Sequence, residues 1–172
     1  MIGVREPLPG VLYPLQAALE RYLREGILRE EALIDGLVRA FDRHRDRVVI
    51  ASVERSYTYG ELDVASDCLA AALLDLGLQP LDRALFQIGN CPELVIALLG
   101  CLKAGVIPVC TIVAHRHAEI AAIGNHAAAR AYFVQGDHKD DLAGFALAMC
   151  REIPSMRHVI VCRGDAPPGT SS

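Results

Sequence analysis

No two of the six cysteines, at 68, 91, 101, 110, 150 and 162, are spaced Cys-x-x-Cys, and most lie inside apolar runs. That speaks against a zinc ribbon or a disulfide frame and for thiols buried in a reducing compartment. Clustered positive charge is also missing. The formal net charge is −4, and the basic stretch from Arg39 to Arg47 is diluted by Asp42 and Asp46. It reads as a solvated helix end, and a nucleic-acid partner is not expected. The first ten residues carry Arg5, Glu6, Pro7 and Pro9, with no apolar targeting core behind them. The most hydrophobic run, Leu94 to Leu102, is far short of the roughly 20 residues that a bilayer requires. A soluble, cytoplasmic protein without a membrane partner is the expectation.

Motifs of self-contained chemistry are lacking as well. A dinucleotide site needs Gly-x-Gly-x-x-Gly where backbone meets pyrophosphate, but Gly89-Asn90-Cys91-Pro92 offers one glycine. Gly100 and Gly105 have the spacing that opens a Walker loop, yet Val106 and Ile107 stand where Lys and Ser or Thr belong. Ser66 and Ser171 lack the flanking glycines of a nucleophile elbow. His115 and His117 flank Arg116, a cation that disfavours a metal between them. Asp63 and Asp67, at i and i+4, read as a solvated helix face rather than a catalytic carboxylate pair. No catalytic residue and no metal ligand is expected.

What is present is a core. Of 172 residues, 52% are apolar and 22% charged, enough for one domain with a real interior. Helical spacing predicts a helix from Pro14 to Gly26 and another carrying Leu33, Leu37, Ala40 and Phe41. Val48 to Val53 reads as a strand that turns at Glu54-Arg55 into Ser56-Tyr57-Thr58. Thr58-x-x-Glu61 has capping-box spacing, and Leu62, Ala65, Leu69, Leu73 and Leu76 follow on one face until Gly77. Strands are then expected at Ala84–Ile88, Val106–Val113, Ala131–Gln135 and Val159–Cys162. Helices are expected between them: Pro92–Lys103, capped by Asn90, then Ala118–Ala128 and Asp140–Ile153. Strands apolar on both faces, alternating with helices, imply an α/β fold: a mainly parallel sheet with helices on both faces. The expected organisation is 1–46 as amino-terminal docking helices, 47–163 as an α/β subdomain and 164–172 as a linker. The last strand should be an exposed edge that invites pairing.

One set of residues goes further. Tyr57-Thr58-Tyr59-Gly60-Glu61-Leu62-Asp63, Leu69-Ala70, Leu76-Gly77-Leu78-x-Pro80-x-Asp82-Arg83 and Asn90-x-Pro92-Glu93 run in order. Leu102-Lys103-Ala104-Gly105-Val106-Ile107-Pro108-Val109 follows them. In order and spacing this resembles the amino-terminal part of the AMP-forming acyl- and aryl-acid ligase (adenylate-forming) superfamily, from about Val48 to Cys162. Ala114-His115-Arg116-His117-Ala118-Glu119-Ile120 is most similar to the aryl-acid branch, which activates dihydroxybenzoate or salicylate. Leu81 departs from the pattern, since the family usually has glycine there. Cys110-Thr111-Ile112-Val113 departs too, replacing a Pro-Leu pair.

The resemblance implies an ATP-dependent ligase that converts an acid to acyl-AMP and then passes it to CoA or a carrier thiol, with ATP, Mg²⁺ and CoA as the family's cofactors. The phosphate loop ending in Lys and the carboxyl-terminal lysine are not among these residues, so a truncated fragment, inactive alone, is expected. Its partners would be a second copy or the missing ligase segment. By loop position, the resemblance also places Arg116 and Lys139 near the nucleotide end of CoA, as contacts to its 3′-phosphate. Two rival readings stay open: a non-catalytic α/β binding module that pairs with another chain, and an unrelated flavodoxin-like domain.

Overall fold

The computed structural model describes residues 10–172, and the irregular opening expected up to Val11 falls mostly outside them. The chain divides into two compact units, one ending at Arg39 and one spanning Ala40–Ser172.

In the first unit, α1 (Gln16–Arg24) follows an extended Leu15, so Pro14 precedes the helix instead of opening it. Gly26, at φ 71°, ends it. The Ala32 N–H donates to the Asp35 carboxylate at the start of α2 (Leu33–Arg43), and Arg39 is 2.6 Å from Glu31.

The second unit takes in the end of α2 and then an antiparallel hairpin, β1 (Val48–Ala51) and β2 (Ser56–Thr58). β1 stops two residues earlier than expected because Ser52 closes the turn. Its hydroxyl donates to the Arg55 carbonyl at 2.7 Å and accepts from the Arg55 N–H at 3.1 Å. Thr58 and Glu61 form the predicted capping box at the head of α3 (Tyr59–Asp75). There follow β3 (Arg83–Gln87), α4 (Pro92–Ala104), β4 (Ile107–Cys110), α5 (His117–Ala127), β5 (Ala131–Gln135), α6 (Leu142–Met149) and β6 (His158–Cys162). The strands form one parallel sheet in the order β4-β3-β5-β6.

Alternation of side chains on the buried strands fills two cores. Ala84, Phe86, Phe133 and Ile160 face α3 and α4, with the rings of Phe86 and Phe133 stacked at 4.7 Å. Leu85, Tyr132, Val134 and Val159 meet Ile120, Leu142, Ala146 and Met149 on the opposite face.

Several local expectations shift. Asn90 does not cap α4; extended Cys91 occupies that position and makes no side-chain cap bond. β4 ends at Cys110, since the Thr111 hydroxyl and N–H both donate to the Phe86 carbonyl and the chain then turns. Helix α6 starts later than expected because Asp141 caps it, accepting from the Gly144 N–H at 2.8 Å, and it ends at Met149 rather than Ile153.

The last strand is not the bare edge that was expected. The terminal residues, read as a linker, return to it: Ser171 N–H donates to Val159 O and Ser171 O accepts from Val161 N–H, at 2.9 and 2.8 Å. Among the described residues the outer edge of β4 has no strand beside it. There Ile107 N–H points inward to Asp82 O, so the alternate position, Pro108, faces outward and removes a donor from that edge.

Leu81, where the family prefers glycine, adopts φ 72° with its N–H bonded to Gly105 O. A left-handed leucine costs about 1–2 kcal/mol. Leu81→Gly is therefore expected to stabilise the protein by about 0.5 kcal/mol after loss of the half-buried side chain. Urea denaturation checks it; a lowered midpoint would show that the side chain outweighs the strain.

Candidate functional site

Parallel sheets gather ligand-binding loops at the carboxyl ends of their strands, above all where successive connections leave a strand pair in opposite directions. Here that point lies between β3 and β5, because β3 connects outward to β4 while β5 connects the other way to β6. The rim is formed by the loops after Gln87, Cys110, Gln135 and Cys162.

At the switch point, a shallow pocket of about 230 Å³ is lined by Asn90, Cys91, Gln135 and Arg163 and by the hairpin turn at Ser52–Glu54. Arg163 dominates it electrostatically. Its guanidinium reaches Glu54 at 2.5 Å, Asp137 at 2.9 Å and Glu93 at 3.3 Å, from three different elements. These bonds hold the Glu54 and Asp137 carboxyls below the usual carboxylate range. Arg163 itself sits at φ 61°, an unusual backbone state for a side chain this large. The Arg163 cluster went unnoticed in the sequence. The only available signal was a cation immediately after a parallel strand.

Arg116 and Lys139, the pair singled out from the sequence, lie on the loops after β4 and β5. Those loops meet: the Arg116 guanidinium is 3.2 Å from Asp140, the residue after Lys139. Arg116 also donates to Val113 O at 3.1 Å, and its backbone N–H donates to Glu119 at the head of α5. Hydrogen bonds from backbone amides, chiefly its own and that of Arg116, hold the Glu119 carboxyl down. Arg116 and Lys139 are both exposed. Beside this loop, Phe86, Ile88, Leu94, Leu98 and Ile112 line a more apolar groove of about 370 Å³.

His117 lies 3.4 Å from Glu152, whereas His115 Nδ1 is buried and has no hydrogen-bond partner among the described residues. Among the described residues no group of three or more His, Cys, Asp or Glu is placed to hold a metal. Of the solvated face expected of Asp63 and Asp67, only Asp67 is exposed; the Asp63 side chain is largely buried. Both carboxylates lie 2.6 Å from Lys103 Nζ of α4, which also donates to Asp63 O. They tie two helices together, far from the rim.

Among the described residues a phosphate-binding loop is not formed. Within Gly169-Thr170-Ser171-Ser172 the Ser171 backbone is committed to β6. The residues present therefore do not fit the triphosphate of ATP or its Mg²⁺ ion.

Comparison with known proteins sets this rim in context. Residues 37–170 match the family described as AMP-binding enzyme. Triostin synthetase I of Streptomyces triostinicus is 40% identical over 148 residues, which is 86% of this chain and 27% of that protein. The salicyl-AMP ligase / salicyl-S-ArCP synthetase of Mycobacterium tuberculosis is 37% identical over 137 residues, 74% of this chain and 23% of that one. The apo structure of MbtA from Mycobacterium smegmatis superposes with a TM-score of 0.84 at 33% identity, covering 92% of this chain and 29% of its own. The anthranilate CoA ligase AuaEII shares the fold, with a TM-score of 0.77 at 18% identity over 86% of this chain and 28% of its own. The chain thus belongs to the AMP-binding enzyme family, corresponding to its amino-terminal part and spanning about a quarter of the length of the curated relatives it matches.

Proposed function

We propose that these residues form the amino-terminal part of an ATP-dependent ligase that activates an aromatic carboxylic acid, and that alone they have no adenylating activity. The observation that carries this reading is the combination of a family match over residues 37–170 with a chain that contains no phosphate loop. Relatives whose names specify salicylate and 2,3-dihydroxybenzoate as acids support the aryl branch. The overall reaction joins the acid to the α-phosphate of ATP, releases pyrophosphate, and passes the acyl group to a thiol. Transition-state charge at phosphorus calls for Mg²⁺ and cationic groups supplied by other parts of such a ligase. This piece contributes a wall of the large domain. The partner for its open surfaces is the remaining ligase segment or a second copy, and the compartment is the cytoplasm.

Purified protein supplied with salicylate or 2,3-dihydroxybenzoate, Mg²⁺ and ATP is expected to exchange labelled pyrophosphate into ATP no faster than a no-enzyme blank. Acid-dependent exchange above that blank would mean that the chemistry lies within these residues.

Arg116 and Lys139 are proposed as contacts to the 3′-phosphate of CoA on the same rim, since guanidinium can bind phosphate with two parallel bonds and ammonium adds a point charge. Engaging a phosphate requires Arg116 to leave Asp140, so the expected effect is modest. In an intact ligase carrying this segment, Arg116→Ala and Lys139→Ala should each raise KM for CoA by about three- to tenfold while leaving KM for ATP alone. Unchanged CoA dependence in both removes the site.

A further inference from the structure

We infer that Gln87 is a positioning residue that fixes the loop after β4, and with it Arg116, on the carboxyl-end rim. As a statement about thiol transfer this rests on the ligase reading above; as a statement about the loop it stands on geometry.

Gln87 is the last residue of the central strand β3 and is completely buried, on the face occupied by Leu85 and Tyr132. An uncharged amide in an apolar core costs stability unless its hydrogen bonds are satisfied. Here they are, by two separate elements. The Tyr132 hydroxyl donates to Gln87 Oε1 at 2.5 Å. Burial pushes the Tyr132 phenol above its ordinary pKa, so it keeps the proton this bond needs. With its oxygen engaged, the amide is oriented so that Nε2 faces the loop. It donates to Val113 O at 3.1 Å and to His115 O at 2.9 Å.

Those two carbonyls bracket Ala114 and precede Arg116, the N-cap residue of α5. The segment between β4 and α5 has few other ties to the sheet: Thr111 bonds to Phe86 O, and His115 N–H bonds locally to Ile112 O. An apolar side chain of equal size would fill the space without needing partners. What the amide adds is a defined position for two backbone carbonyls, and therefore for the cation after them. A network with every member satisfied specifies one arrangement in this way.

Amide hydrogen exchange by NMR on the chain itself, with neither ATP nor CoA present, tests this. In Gln87→Met, which keeps length and apolar packing, exchange of the His115 and Arg116 amides should accelerate about tenfold relative to that of Phe133 and Ile160 in the sheet. Gln87→Glu places a carboxylate against the same two carbonyls and should enlarge that ratio further. Should Gln87→Glu fail to fold, Gln87→Met still decides. If all four amides change by a common factor in Gln87→Met, Gln87 is only a contributor to global stability and the inference fails. Because no ligand is used, that failure leaves the ligase reading intact, just as a failed pyrophosphate or CoA test leaves the exchange result intact.

Discussion

Lys103→Ala should destabilise the protein by about 3 kcal/mol, the size expected when one partner of a buried ion pair is removed. The Lys103 side chain is only 9% exposed, and Asp63 only 15%. Removing the ammonium strands the Asp63 carboxylate between α3 and α4 and also takes away a donor to Asp63 O. A cation over the Phe41 ring, at 5.6 Å from its centre, is lost too. Asp67 is 65% exposed, so Asp67→Ala should cost well under about 1 kcal/mol. Urea denaturation of both variants makes the comparison. Equal, small losses would return these residues to the role of a solvated surface pair.

Gly136→Ala should be comparably harmful, at about 3 kcal/mol, the upper part of the usual range for overpacking. A methyl group there would fall 2.3 Å from the Arg163 carbonyl oxygen and 2.7 Å from Val161 Cγ1. The nearer obstacle is main chain, held by the Gly136 N–H to Cys162 O bond and by the ion pairs of the Arg163 side chain. It cannot rotate aside as a side chain would. A thermal midpoint lower by roughly 6–12 °C is expected for a chain of this size. A shift under about 2 °C would show that the β5–β6 rim is more compliant than its contacts imply.

Both effects arise from contacts that sequence spacing does not reveal. Asp63 and Asp67 have the period of a solvated stripe, and only the packing of α4 on α3 brings Lys103, some forty residues away, between them. Arg163 gives no local signal of its three carboxylate partners, which come from a hairpin turn, a helix start and a neighbouring loop. Gln87 looks like the polar end of an apolar strand until Tyr132 and the loop after β4 close around it.

Elements written in short-range chemistry were legible. The Thr58–Glu61 capping box, the Gly105 stop after α4, and the extent of β5 depend on neighbours within a few residues. The family resemblance was legible for a related reason, because its motifs mark turns and helix ends whose spacing follows from the fold. Element ends were less so: β1 and β4 stop early where Ser52 or Thr111 redirects a backbone bond, and α6 starts late where Asp141 caps it.

By itself, then, the sequence determined that this is a parallel α/β fold of the AMP-binding kind, since apolar period, caps and breakers act locally and repeat along the chain. Only the tertiary structure decided which edge is covered, which charges are tied down and how the rim loops are held. Burial, ion pairing and hydrogen bonding at those places depend on segments that folding alone brings within a few ångströms of each other.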